Sequence, residues 1–325
     1  MNAIKRTGII LLQLLVTAGG IWYVFHDPQK RAVIVDALRH ADFRLLAAGW
    51  ICYGGVEVLA TVRWRILLRI QGITLSWLRT FGIVMIGLFF NMFLPGLIGG
   101  DVVRLYFVFK SVSGRKTRAA LSVVMDRLFG LFSILVLGGL SLALRFGWFS
   151  RSGAGLQIAD IALALLGAGA VLVAFLFGAV GFRVLHRLPQ RTPLRKTIIE
   201  SGEALRRYRM HPAAMILAFA ITIVSHSAYY LSYYCAGQSL HAAGHMAGLI
   251  DMLSIMPLVN TVTSLPISFG GAGVREALFQ QLLGHLAHVP PALAAFSASL
   301  GFAIQASWGL LGAAVYLLSR KLSSR

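Results

Sequence analysis

The sequence predicts an all-α polytopic integral membrane protein of about eight hydrophobic segments. About six are full spans, and two are broken, re-entrant hairpins entered from opposite sides. Three observations predict this. Of 325 residues, 58% are hydrophobic and 13% charged, where a soluble domain carries about 25% charged residues. Several apolar runs exceed the roughly 18 residues that mark a spanning helix. Finally, one pattern, L-P-x-x-x-G-G-x-x-V-R, occurs twice without a gap. It runs once from Leu94 to Arg104 and again from Leu265 to Arg275.

Each copy puts a helix breaker and a glycine pair into apolar sequence and then adds an arginine. A bilayer accepts such broken backbone only where it is buried in protein or lines a cavity. Paired interrupted segments in the two halves of a membrane protein point to a transport site. The plainer reading is two tight helix–helix packing sites, for which glycines are common. Packing alone requires neither the proline nor the arginine.

The elements follow in order. Thr7 to Phe25 reads as a first span. No small-x-small cleavage site follows Tyr23, so a retained helix is expected rather than a signal peptide. Residues 27–44 carry an amphipathic stretch at Val33, Ile34, Ala37 and Leu38. A second span, about Leu45 to Val62, ends in Arg63, Arg65 and Arg69. A third segment, about Thr80 to Leu94, runs into the first motif. After the basic loop 110–118, spans are expected at about 119–144 and 157–182. The linker 183–212 is the most basic stretch. Its Leu194, Ile198, Leu205 and Tyr208 fall near one helical face, which suits a helix lying on the membrane surface; a solvated linker is the alternative. A span at about 213–236 follows, then a segment at about 248–265 running into the second motif, and a last span at about 292–319. The chain thus reads as one domain over 1–325, with a first-motif half at about 45–145 and a second at about 213–319.

The net charge is +19. In a soluble protein that would suggest nucleic acid, but cytoplasmic loops of membrane proteins collect Lys and Arg. With the N-terminus inside and each motif turning back to the side it came from, 21 of the 30 Lys and Arg fall on the cytoplasmic side and 6 outside. The remaining 3, Arg104, Arg127 and Arg275, lie at membrane depth. This bias places both termini in the cytoplasm. It also has the first motif entered from inside and the second from outside, as in an inverted repeat.

Several residues carry candidate chemistry. Pro95 and Pro266 are the expected hinges, since proline breaks an incoming helix. Gly99 and Gly100, and Gly270 and Gly271, allow positive φ and close backbone approach. Asp101 is an expected N-cap, and free N–H groups at such a helix start suit phosphate. Arg104 and Arg275 can each grip a phosphate through two parallel hydrogen bonds. Asn91 adds a polar group one turn before the first break. Glu276 has no counterpart in the first copy, and could pair with Arg275 or bind a cationic headgroup or a proton. Asp126 and Arg127 are costly at membrane depth, so they face a cavity or form an ion pair with Asp101 or Arg104. Glu57 could pair with Arg63 or Arg65. His226 reads as a satisfied polar contact, and His285 and His288 as exposed loop residues. Cys52 and Cys235 are expected to be packing residues. Tyr229, Tyr230, Tyr233 and Tyr234 look like an interfacial aromatic belt. His285 and His288 could coordinate a metal by spacing, but no H-E-x-x-H, paired carboxylate, Walker loop or nucleophile elbow is present, so neither a metal nor a cofactor is expected.

The run Asn91-Met-Phe-Leu-Pro-Gly-Leu-Ile-Gly-Gly-Asp-Val-Val-Arg104, the stretch Asp126-Arg127-Leu-Phe-Gly130, and Leu265-Pro-Ile-Ser-Phe-Gly-Gly-Ala-Gly-Val-Arg-Glu276 resemble the lysylphosphatidylglycerol synthase transmembrane, or flippase-like, family. The resemblance covers nearly the whole chain. It implies a membrane part that moves lipid across the bilayer, with aminoacyl transfer belonging to a separate soluble domain. This chain ends at Arg325 without such a domain, so transferase activity is not expected of it. The reading is a lipid flippase or transporter of a bacterial-type cytoplasmic membrane. It would act on an anionic phospholipid or a polyprenyl- or hopanoid-type lipid, held by Asn91, Gly99, Gly100, Asp101, Arg104, Asp126, Arg127, Gly270, Gly271, Arg275 and Glu276. Its partners would be membrane lipids and anionic headgroups, not nucleic acid, and a homodimer is compatible with the sequence. The alternatives are a membrane glycosyltransferase and an accessory scaffold of a lipid or glycolipid pathway.

Overall fold

The computed structural model describes residues 26–93, 99–112, 114–151, 153–178, 195–265 and 268–323, with four isolated positions nearer the N-terminus. Among the described residues there are eleven α-helices and no strand. They are α1 (Pro28–Arg39), α2 (Phe43–Ile70), α3 (Trp77–Phe93), α4 (Gly99–Phe109), α5 (Lys116–Phe149), α6 (Gly153–Gly178), α7 (Arg195–Arg209), α8 (Pro212–Gln238), α9 (Leu249–Thr263), α10 (Val274–Ala287) and α11 (Pro291–Ser323). Most of the expected first span, the first motif from 94 to 98 with Pro95, and Pro266 with Ile267 lie outside the described residues.

Local chemistry sets several helix starts. Asp27 and Asp42 cap α1 and α2 by accepting from Gln29 N (2.9 Å) and Arg44 N (2.8 Å), so orphan N–H groups of the first turn are met. Pro28 and Pro212 sit at the first position of α1 and α8, where a missing N–H costs nothing.

Among the described residues, four helices are long and apolar enough to cross a bilayer: α2, α5, α8 and, over Pro291–Leu318, α11. Their outward faces are greasy. Ile51, Val58, Leu144, Val224 and Leu310 are exposed, while Glu57, Thr61, Ser133, Thr222 and Ser297 are buried. Large apolar groups outside and polar groups inside suit a hydrocarbon surround. The helices on either side of the two motifs are short. At about 1.5 Å per residue, α3 spans about 26 Å, α4 about 17 Å, α9 about 23 Å and α10 about 21 Å. Each falls short of the roughly 30 Å hydrocarbon core.

Helices α2 and α8 form an antiparallel spine. Asp42 N donates to the Ser239 carbonyl (2.8 Å) at one end. Gly49 then lies against Ser232 and Cys235, Tyr53 against Tyr229 (ring centroids 6.1 Å), and Arg63 donates to Thr222 (3.4 Å) toward the other end. Around this spine the packing crosses over. Helix α3, before the first motif, packs on α11, and α9, before the second, packs on α5. Each therefore leans on the long helix that follows the other motif. The motifs begin 171 positions apart, at 94 and 265. The same shift carries α2, α3, α4 and α5 onto α8, α9, α10 and α11, with bounds agreeing to about four residues except at the end of α10, which runs further than the shifted end of α4.

Two expectations change here. The tyrosine stripe is not a surface belt on its inner side: Tyr230 and Tyr233 are buried to within 1% of full burial. The Tyr233 ring closes directly over Gly301, where any side chain would collide with it. The basic linker is not a free solvated segment either. Within α7, Ala204 and Tyr208 are buried. Gln71 donates to the Ala204 carbonyl (2.9 Å), the Tyr208 hydroxyl donates to the Leu67 carbonyl (3.3 Å), and Thr117 donates to Glu200 (2.6 Å). Helix α7 is thereby docked on the basic ends of α2 and α5. Leu194 lies outside the described residues.

Candidate functional site

The first motif places α4 against α3 without any gap for a side chain. A Cβ on Gly100 would collide with the Gly87 carbonyl oxygen and come within 2.5 Å of Asn91 Cγ. Gly87 in turn leaves room for the Arg104 stem, whose Cγ would be 2.7 Å from a Cβ there. Gly99 and Gly100 are both helical, not left-handed, so close approach rather than positive φ explains the pair. Asp101 is not the N-cap. It stands inside the first turn of α4 and its carboxylate is turned to side chains. The amide of Gly100 is met instead by Asn91 Oδ1 (3.0 Å).

The charges form one chain. Arg63 Nε donates to Asp126 Oδ1 (2.7 Å), and Arg104 donates to Asp126 Oδ2 (3.0 Å). Arg104 is also 3.6 Å from Asp101 Oδ1. Arg127 grips Asp101 with two bonds of 2.5 and 2.9 Å. Three arginines and two aspartates thus alternate through α2, α4 and α5. The Arg104 guanidinium lies over the Trp64 ring (4.2 Å), and Trp64 Nε1 donates to Ser122 (3.2 Å). Glu57, 6% exposed, belongs to the same polar face of α2 but makes no ion pair within 4 Å among the described residues. The reading of Asp126 and Arg127 as ion-paired with Asp101 and Arg104 holds. Arg104 NH1 has two carboxylates about it, Asp126 at 3.0 Å and Asp101 at 3.6 Å. Arg63, which counts toward the basic loop by sequence, belongs to this interior chain.

The second motif is built differently. Gly270 (φ 56°), Gly271 (φ 77°) and Gly273 (φ 81°) all occupy the left-handed region, which glycine enters without steric cost. Helix α10 then starts at Val274. Glu276 neither pairs with Arg275 nor stands free. Its Oε2 accepts from Gly273 N (2.6 Å), closing the helix start, and its Oε1 accepts from Ser299 (3.2 Å). Arg275 is 4% exposed. It donates from NH2 to the Gly270 carbonyl (2.6 Å) and lies over Phe302 (5.0 Å) and Tyr233 (5.7 Å). Among the described residues, its NH1 is buried with no hydrogen-bond partner. The two motif arginines sit at different depths: Arg104 is level with Trp64, and Arg275 with the Tyr53–Tyr229–Tyr233 cluster. The separation of Tyr53 and Trp64 along α2 is about 16 Å.

Elsewhere, His226 meets Ser133 (2.9 Å), Cys52 and Cys235 are free thiols, and His285 and His288 are exposed. Among the described residues no group of three His, Cys, Asp or Glu is placed to hold a metal ion.

Because Glu276 acts on the backbone, Glu276→Gln should keep the cap and change stability little. Glu276→Ala should lose about 1 kcal/mol. Thermal unfolding of the two variants in one detergent checks this. Equal losses would show that the carboxylate charge, not the cap, is what matters.

Taken with the duplicated motif, this geometry agrees with what the comparisons show. The sequence model of the lysylphosphatidylglycerol synthase TM region matches residues 10–314. The chain belongs to that family. No curated protein matches it. Family membership and the long apolar helices make it a multi-pass membrane protein with a role connected to membrane lipid.

Proposed function

We propose that this family member is a flippase that carries an anionic lipid between the leaflets of a bacterial-type cytoplasmic membrane. The observation that carries the reading is the pair of short, broken hairpins, each with a buried arginine after its glycines. Backbone interruptions and a cation are costly in hydrocarbon. They are the usual furniture of a transport site, where half-helix ends face an anionic substrate. The 171-residue correspondence of helices and the crossed packing of α3 on α11 and α9 on α5 support an inverted repeat. In this reading the first half, about 45–145, and the second, about 213–319, rock against each other. The headgroup travels along the polar faces of α2 and α8, and the acyl chains stay in lipid.

The test is movement of lipid by purified protein in phosphatidylcholine vesicles. Fluorescent phosphatidylglycerol, quenched from outside by dithionite, should become fully accessible faster with the protein than without it. Fluorescent diacylglycerol carries no phosphate and should show no protein-dependent difference. Equal rates with and without protein for every anionic lipid tried would contradict the reading. The same preparation should form no glycosylated or aminoacylated product from a labelled donor. A product whose formation Asp101→Asn abolishes would favour an enzyme instead.

A further inference from the structure

The two halves repeat the arginine but not its counter-ions. At the 171-residue shift Arg104 matches Arg275, while Asp101 matches Ala272 and Asp126 matches Ser297. Ser297 is fully buried and its hydroxyl donates to the Ala294 carbonyl (2.8 Å). The one acid added to this half, Glu276, is committed to Gly273 N and Ser299. All eleven acidic residues of the chain are among the described ones, and none makes an ion pair with Arg275 within 4 Å. A guanidinium that is 96% buried thus has one carbonyl, two aromatic rings and an empty donor, NH1. Leaving a charged donor unmet inside a protein is expensive, and rings offset only part of it.

We propose that a phosphate-type oxyanion binds Arg275, occupying the place that Asp101 and Asp126 fill beside Arg104. This rests on the lipid-transport reading and names the site where the headgroup is held. NH1 supplies one bond, and NH2 supplies a second by exchanging the Gly270 carbonyl for an anion oxygen, the two-pronged contact that guanidinium makes with phosphate. The surroundings permit that exchange. Gly270 is exposed and left-handed. A Cβ on Gly271 would come within 2.9 Å of both Arg275 NH2 and Thr263 Cβ, so the glycine is what lets the guanidinium lie this close to the turn. Arg104 also has a buried donor without a partner, Nε, but its charge, unlike that of Arg275, is met by Asp126 and Asp101 at NH1.

The ligand could be a lipid headgroup or free phosphate, and the binding measurement separates them. Dioctanoyl phosphatidylglycerol, dioctanoylglycerol and inorganic phosphate are titrated onto the full chain in detergent. The parent should bind the first and not the second, and inorganic phosphate should bind much more weakly. Arg275→Gln should weaken phosphatidylglycerol binding about tenfold or more, the scale of a lost charged hydrogen bond. Ala272→Asp keeps Arg275 and adds a carboxylate at a partly exposed position, so it tests the site without removing the cation. It should weaken binding to a similar degree. Arg115→Gln, an exposed charge elsewhere, should change it less than about twofold. Unchanged binding in folded Arg275→Gln, or equal loss in Arg115→Gln, overturns the proposal. Inorganic phosphate binding as tightly as the lipid overturns the headgroup assignment. If the parent moves lipid in vesicles while Arg275→Gln binds and moves it normally, this site is wrong and the transport reading stands. If the parent moves no lipid, the transport reading fails whatever Arg275 binds.

Discussion

Asp126→Asn should be the most destabilising single change in the interior of the bundle, at about 3–5 kcal/mol. Asp126 accepts from Arg63 at 2.7 Å and from Arg104 at 3.0 Å, and is 4% exposed. Asparagine keeps its shape but removes the charge shared by the half-buried Arg63 and the buried Arg104. Breaking a buried pair by neutralising one partner leaves the other charge uncompensated, which is where the cost arises. Arg127→Gln provides the comparison. Its partner Asp101 is inside, but the Arg127 side chain is 49% exposed, so its loss should cost about 1 kcal/mol or less. Unfolding of both variants in one detergent gives the ordering. The double variant Arg63→Gln with Asp126→Asn should recover part of the loss, because it removes one orphaned cation. Asp126→Asn unfolding with the parent, or below no other variant, would show that the chain of charges does not hold α2, α4 and α5 together.

The second large effect is expected at Gly312, where α11 meets α3. A Cβ there would strike the Met85 carbonyl oxygen and crowd Phe89 Cβ at 3.3 Å. The obstacle is backbone, which cannot rotate away, so α3 and α11 must separate. Gly312→Ala should therefore destabilise by about 1–3 kcal/mol and loosen the seat of the first hairpin. Gly139, in the middle of α5, has nothing within 4 Å of a Cβ. Gly139→Ala should be neutral or stabilising by up to about 1 kcal/mol, since alanine is the better helix former. Matching behaviour of the two variants would mean that the close approach of α3 to α11 is not a feature of the folded protein.

Much of the architecture was legible because hydrocarbon imposes simple rules. Apolar runs marked the long helices, and the second copy of the motif marked the glycine turn at 270–273. The mutual pairing of Asp101, Arg104, Asp126 and Arg127 was legible too, since charges at that depth need partners. What sequence could not give was which group answers which. Arg63 sits among three arginines at the end of α2, and only packing shows that it turns inward to Asp126 while Arg65 and Arg69 do not. Glu276 lies next to Arg275, yet the left-handed turn before it presents the Gly273 amide, which it accepts from instead. Gly99 and Gly100 look like Gly270 and Gly271 in the motif. Gly100 permits close approach to α3, whereas Gly270 and Gly271 take positive φ at a turn that is itself packed against Phe302 and Thr263. The tyrosines of α8 resembled a belt because aromatic composition alone cannot tell a membrane interface from a core closed over Gly301.

The transport reading stands on the two hairpins being entered from opposite sides, and one labelling experiment tests that directly. In a background with Cys52→Ser and Cys235→Ser, single cysteines are placed at Lys116 and at His285, both exposed. Lys116 follows the first hairpin and His285 lies at the end of the second hairpin's returning arm, α10. An impermeant maleimide is added to intact cells, or to spheroplasts where an outer membrane is present. The account predicts that His285→Cys is labelled at once and that Lys116→Cys is labelled only after the membrane is opened. Labelling of both positions from the same side would contradict it, because the hairpins would then not be oppositely entered and alternating access would lose its structural basis.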